Sequence, residues 1–139
     1  MSYLPVTVPG PRIDEVNVDF WEHCNNRTLC FQQCLDCTRL IHPPLSVCPS
    51  CQSVNRGWKK APERAKVFSF VWAHTAAHPS VADVLPYNVV LVEFPELPGV
   101  RLISNVVNAS EQSLAIGDEL ELIWETGEND QLLPRFRKK

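Results

Sequence analysis

Glycine is scarce in this chain. Five residues, Gly10, Gly57, Gly99, Gly117 and Gly127, are scattered over 139 positions. None gathers into a glycine-rich loop of the kind that cradles phosphates, so that class of nucleotide site is excluded. Positive charge is not in excess either. The net charge is -3 and the pI is near 5.8, which speaks against a broad nucleic-acid-binding face. No apolar run approaches the length of a membrane span. Met1 to Gly10 lacks the charged start and apolar stretch of a secretory leader, so the expected compartment is a reducing cytoplasm. No Ser/His/Asp combination lies in a recognisable nucleophile context.

What the chain does have is cysteine in a pattern. Cys34-Leu-Asp-Cys37 and Cys48-Pro-Ser-Cys51 are two Cys-x-x-Cys pairs. Two residues between ligands let the backbone curl so that both sulfurs face one point. Two such knuckles can converge on one tetrahedral ion. Two disulfides or a redox pair are the competing readings, and the paired spacing without a secretory context favours a structural metal, zinc, on Cys34, Cys37, Cys48 and Cys51. Four thiolates leave no open position for activating water, so the site is structural by coordination count. A ribbon of about 35 residues cannot bury a sufficient core by itself, and the metal substitutes for one. Cys24 and Cys30 remain, and their expected role is that of small buried hydrophobes. His42 is not needed as a ligand and is expected to be structural or exposed.

The rest of the chain reads in three parts: an N-terminal arm and short helix over 1–27, a zinc ribbon over 28–62 and an OB-fold domain over 63–139. Pro5, Pro9 and Pro11 preclude a regular helix in the arm, which is read either as packed on something or as a frayed end. Asp14 to Asn25 is predicted helical, with Phe20 and Trp21 as a large apolar load. Thr28 to Gln33 alternates as a strand, and Arg39–His42 and Val54–Ala61 are the ribbon's other extended pieces. Five strands are predicted after it: Ala65–Thr75, Tyr87–Phe94, Val100–Val107, Asp118–Glu125 and Leu132–Arg137. In the first, Phe68, Phe70 and Trp72 share one face and Val67, Val71 and Ala73 the other. Leu120, Leu122 and Trp124 are expected to point inward. Five strands with no long helix suggest a small closed barrel of the OB type, with Ser110–Ile116 supplying a turn of helix as the crossing link. The basic end, Arg135 to Lys139, is expected to be a solvated tail.

These residues together resemble a known family, the acyl-CoA-associated zinc-ribbon plus OB-fold proteins, domain of unknown function family thirty-five. The matching pieces are Phe20-Trp21, Leu29-x-x-x-Gln33-Cys34-x-x-Cys37, Pro43-Pro44, Cys48-Pro49-x-Cys51-x-Ser53 and Trp58. In the barrel they are Val67-x-Ser69-Phe70, Pro86-Tyr87, Val92-Glu93, Ile116-Gly117-Asp118 and Leu133-Pro134-x-Phe136. Coverage runs from about Asp19 to Phe136. Arg27 departs from the pattern, since the family often has glycine there, as does Ala65 before the first barrel strand. The resemblance implies a mainly β fold with a short N-terminal helix, a rubredoxin-like zinc ribbon and a C-terminal five-stranded OB-fold barrel. It also implies a companion subunit of thiolase-fold enzymes, such as thiolases, acyltransferases or retro-aldolases, acting on acyl-CoA.

The leading functional expectation is therefore a zinc-containing accessory subunit that orders a thiolase-fold partner and helps enclose the acyl-CoA. Phe20 and Trp21 are the first candidates for interface anchors, because aromatics dominate interface hot spots. The alternatives are a nucleic-acid-binding zinc-ribbon/OB module and a rubredoxin-like electron carrier, since tetrahedral four-sulfur sites accept zinc or iron. His74 and His78, with Asp83 and Tyr87 near in sequence, are read as ordinary loop residues rather than a site.

Overall fold

The computed structural model describes residues 2–139. The helix α1 (Val18–Asn25) begins later than the sequence predicts. Residues 14–17 form a side-chain-closed turn instead: the Asp14 carboxylate accepts the amides of Val16 and Asn17 at 2.8 and 2.9 Å. Asp and Asn compete with helical backbone in this way, and so favour the approach to a helix over its first turn. α1 buries Phe20 and Cys24, four residues apart on one face. Its end is a Schellman-type stop, with Thr28 N–H donating to His23 C=O at 3.0 Å and Arg27 N–H to Cys24 C=O at 2.9 Å. Arg27 sits at φ 55, a left-handed position that glycine enters without strain. That is a physical reason for the glycine the resembling family often carries there.

The ribbon follows: β1 (Cys30–Cys34) lies between β2 (Leu40–Ile41) and β3 (Arg56–Lys60), all antiparallel. The strand predicted over Thr28–Gln33 is found as β1, and both of its faces are covered. Leu29, Cys30, Phe31 and Gln32 are all buried. One face meets the barrel through Phe31 and Phe94, whose rings are 5.2 Å apart. On the other, Gln32 accepts the Leu45 amide at 2.9 Å through its side chain, so the burial of a polar residue is compensated.

The barrel contains β4 (Ala65–Ala73), β5 (Tyr87–Glu93), β6 (Arg101–Ser104), β7 (Val106–Val107), β8 (Glu119–Thr126) and β9 (Leu132–Lys138). Its sheet order is β6-β5-β4-β8-β9-β7. The third predicted strand is thus β6 and β7, broken at Asn105. β6 pairs antiparallel with β5, β7 pairs parallel with β9, and this change of partner closes the sheet into a five-stranded OB barrel. The break is filled by a side chain. Asn88 is fully buried; it accepts the Val106 amide at 2.8 Å and donates to the Val106 carbonyl at 2.7 Å, replacing ladder bonds.

A bulge between Val67 and Ser69 corrects the predicted faces of β4. Ala65 and Val67 are buried, Phe68 and Ser69 both face out, and the half-buried residues then become Phe70 and Trp72, with Val71 62% exposed. An extra residue in one strand flips every later side chain. In β8, Leu120 is fully buried, whereas Leu122 and Trp124 are partly buried against the same core. Residues Ser110–Leu114 make one turn, closed by the Leu114 amide on the Ser110 carbonyl at 3.2 Å. A 3-10 helix at Pro79–Val84, not foreseen from the sequence, is capped by His78, whose Nδ1 accepts the Ser80 amide at 3.1 Å.

The described N-terminal arm and the C-terminal strand are both tied to the barrel. The Tyr3 amide donates to the Glu125 carboxylate at 3.0 Å, the Tyr3 hydroxyl accepts the Asn88 amide at 2.9 Å, and the Gly10 amide donates to Glu128 at 3.1 Å. The basic end is not a solvated tail: β9 runs to Lys138. Arg135 is largely buried 3.6 Å from Glu125, Arg137 lies 2.8 Å from Glu121, and Lys138 lies 3.2 Å from Asp118. No helix among the described residues is long and apolar enough to cross a membrane.

Candidate metal centre

The four cysteines of the two pairs converge. Their sulfurs all lie within 4.8 Å of one another, with Cys34 and Cys51 at 3.5 Å and Cys37 and Cys48 at 3.5 Å. A regular tetrahedron with metal–sulfur bonds of about 2.3 Å has sulfur–sulfur edges of about 3.8 Å. The donor set is therefore already at the size that one ion requires.

Each knuckle is built the same way. In the first, Cys34 N–H donates to Arg39 C=O at 2.9 Å and Thr38 N–H to Cys34 C=O at 3.0 Å. In the second, Cys48 N–H donates to Ser53 C=O and Gln52 N–H to Cys48 C=O, both at 2.9 Å. The residue after the last cysteine is left-handed in both, Thr38 at φ 66 and Gln52 at φ 63. Neither is glycine, which is why spacing rather than turn composition betrays these knuckles in the sequence. The backbone lowers the thiols of Cys34 and Cys48, whereas burial and the neighbouring sulfurs leave those of Cys37 and Cys51 raised. The Cys51 amide, then the Ser50 amide, point at Cys48 and hold its thiol down to about 6. The Cys37 amide does the same for Cys34 and lowers it too. Thiolate is the ligating form, so these amides favour metal capture. Cys34 and Cys48 are buried, Cys37 and Cys51 exposed.

The other sequence candidates do not join this centre. Cys24 and Cys30 are free and buried, and burial pushes the Cys24 thiol up to about 12, so both are unreactive fillers. His42 stacks near Phe20 and Phe31, with ring centroids 5.1 and 5.2 Å away; burial alone lowers its pKa to about 4. His74 lies 3.5 Å from Glu111 and His78 caps its own turn, so no shared site forms between them. Phe20 is 3% exposed and meets Trp21 edge-on at 4.9 Å. Any contribution of Phe20 to an interface passes through Trp21, which it holds in place. Trp21 is half-buried and borders an open groove of about 480 Å³ with Leu91, Arg101 and Ile103.

The model of the ChsH2 C-terminal OB-fold domain matches residues 58–125. Among solved structures, a chain of the Ltp2-ChsH2(DUF35) aldolase is similar over nearly its whole length. It is 35% identical, with 93% of this chain and 98% of that chain covered and a TM-score of 0.82. The chain belongs to the DUF35 family of OB-fold proteins. A DUF35 domain-containing scaffold protein of Methanothermobacter thermautotrophicus is 29% identical over 86% of this chain and 92% of that protein. A DUF35 protein of unknown function from Sulfolobus solfataricus, 16% identical over 87% of this chain and 83% of that one, shares the fold at a TM-score of 0.61. A probable enoyl-CoA hydratase alpha subunit of Thermomonospora curvata is 36% identical over 93% of this chain. The present DUF35 chain spans only 39% of that protein's length.

Proposed function

We propose that the four thiolates hold one structural zinc ion and that this chain is a non-catalytic subunit of a cytoplasmic acyl-CoA-processing complex. Its partner is a thiolase-fold enzyme, a thiolase, acyltransferase or retro-aldolase. The observation that carries this reading is the end-to-end likeness to a chain of the Ltp2-ChsH2(DUF35) aldolase. The scaffold name of the archaeal relative and the enoyl-CoA in the name of the hydratase relative agree with it. The division of labour follows from the chemistry present. A four-cysteine centre offers no free coordination position, and the serine–histidine contact that is present, His78 Nδ1 to Ser80 Oγ at 2.7 Å, closes an exposed turn. The partner therefore supplies nucleophile and acid/base groups, while this chain orders the partner and helps enclose the acyl-CoA. Trp21, supported by Phe20, anchors the interface, as a half-buried aromatic at the edge of an apolar groove suits that task.

Reconstitution tests the reading. The partner alone is expected to turn over acyl-CoA weakly or not at all, and addition of this chain to restore turnover. Full turnover by either component alone overturns the proposed role. Trp21→Ala is expected to weaken complex formation by on the order of 2 kcal/mol, measured by calorimetric titration.

A further inference from the structure

The two knuckles correspond position by position: Cys34 to Cys48, Cys37 to Cys51. Two side-chain bridges join them, and the bridges are reciprocal. Asp36 is the second residue between the ligands of the first knuckle. Its carboxylate accepts the hydroxyl of Ser53, two residues past Cys51, and the Asn55 side-chain amide at 3.1 Å. Ser50 is the second residue between the ligands of the second knuckle. It accepts the Arg39 guanidinium, two residues past Cys37, at 2.5 Å. Each knuckle thus grips the other from the same pair of positions, once with a carboxylate and once with a guanidinium.

The bridges lie where a metal would be lost. Cys37 and Cys51 are the exposed sulfurs. A chelator or a proton reaches them first, and release begins when one of them swings away from the ion. Asp36 adjoins Cys37 and Ser50 adjoins Cys51. Each knuckle keeps its own backbone hydrogen bonds, so the easiest opening motion is separation of two intact turns. The motion that frees the exposed thiolates is the one these bridges oppose.

We infer that the Asp36–Ser53 and Arg39–Ser50 bridges form a latch that sets the rate of metal exchange at the centre; this rests on the metal reading above. The test is release of zinc from the full chain into excess chelator, followed with a chromogenic indicator, for the native protein, Asp36→Ala, Ser50→Ala and both together. Asp36 and Ser50 are exposed, so neither truncation opens a cavity, and melting curves check that each variant remains folded. Each single variant is expected to release zinc about 10-fold faster, since loss of groups that support metal ligands commonly costs about 10–100-fold in metal affinity, and the double variant faster still. Asp36→Asn, which keeps one acceptor, falls between native and Asp36→Ala. Glu121→Gln on the barrel leaves release unchanged. Folded, zinc-loaded variants that release at the native rate overturn the latch while leaving the metal reading standing. Native protein that holds no metal overturns both.

Discussion

Asn88→Ala should be the most damaging truncation of a polar residue in the barrel. Asn88 is fully buried, and its side-chain amide closes both bonds to Val106, at 2.8 and 2.7 Å, across the break between β6 and β7. Truncation leaves one N–H and one C=O of Val106, itself fully buried, without partners. An unsatisfied buried donor or acceptor costs about 1–3 kcal/mol, so the pair costs about 2–6 kcal/mol before any cavity is counted. Water entering the space left by the side chain would reduce that toward the lower end. Asn88→Leu fills the volume but restores neither bond, so it should recover little. Equilibrium urea unfolding, with the slope checked against the native protein, measures the loss. A cost below about 1 kcal/mol would mean that Val106 finds other partners and that the side chain does not close the barrel.

Three other expectations concern different parts of the molecule. Leu120→Ala should cost about 2–5 kcal/mol and Leu122→Ala clearly less, because only Leu120 is fully buried; equal costs in urea unfolding would show the inner face of β8 to be misassigned. His42 has a folded pKa lowered to about 4 by burial, so the folded state binds fewer protons than the unfolded state between that value and the ordinary imidazole range. Its contribution is complete above about pH 6.5 and is lost as pH falls toward 4, on the order of 3 kcal/mol in total, and His42→Phe should flatten the unfolding-versus-pH curve in that window. Cys48→Ser should release the ion and loosen the ribbon, read as loss of bound metal by elemental analysis and of amide protection in β1 and β3 by hydrogen exchange, since binding energy in such a site is folding energy.

The parts of the fold that were legible from sequence are those governed by local rules. The knuckle spacing, the alternating strands and the apolar load of α1 each follow from periodicity or ligand geometry within a few residues. The parts that were not legible depend on distant partners. The bulge after Val67 has no signature in Ala-Lys-Val-Phe-Ser-Phe, because it is fixed by pairing with β5 and by the cation–π contact of Arg101, 3.7 Å from the Phe68 ring centre. The break at Asn105 depends on Asn88, distant in sequence, and the basic end becomes a strand because Glu121, Glu125 and Asp118 wait across the ladder. At the candidate metal centre the two cysteine pairs that converge were evident, while the bridges between knuckles were not. Asp36, Arg39, Ser50 and Ser53 are ordinary surface residue types until the fold sets them opposite one another.

The same long-range packing decides how the two sheets respond to one another. Phe31 on the ribbon lies 5.2 Å from Phe94, and Phe94 lies 6.5 Å from Phe136 in the barrel, centroid to centroid. Phe20, Leu29 and Phe31 belong to one buried cluster with Val67, Val92, Leu120 and Phe136. The ribbon's sheet is three short strands, too small to bury its own apolar face, so it borrows the barrel's interior. The four cysteines sit at the opposite end of β1, where Cys34 and Cys48 pack with Ile41 in a separate small cluster. The converging cysteines and the shared core therefore lie at the ribbon's two ends. With the metal end released, β1 is still pinned by Phe31, and the barrel keeps a covered end. With Phe31 truncated, Phe20, Leu29 and Trp58 would remain to hold the ribbon against the barrel. The aromatic contacts of Phe31 thus fix the ribbon against the barrel cluster that Trp21 also packs on.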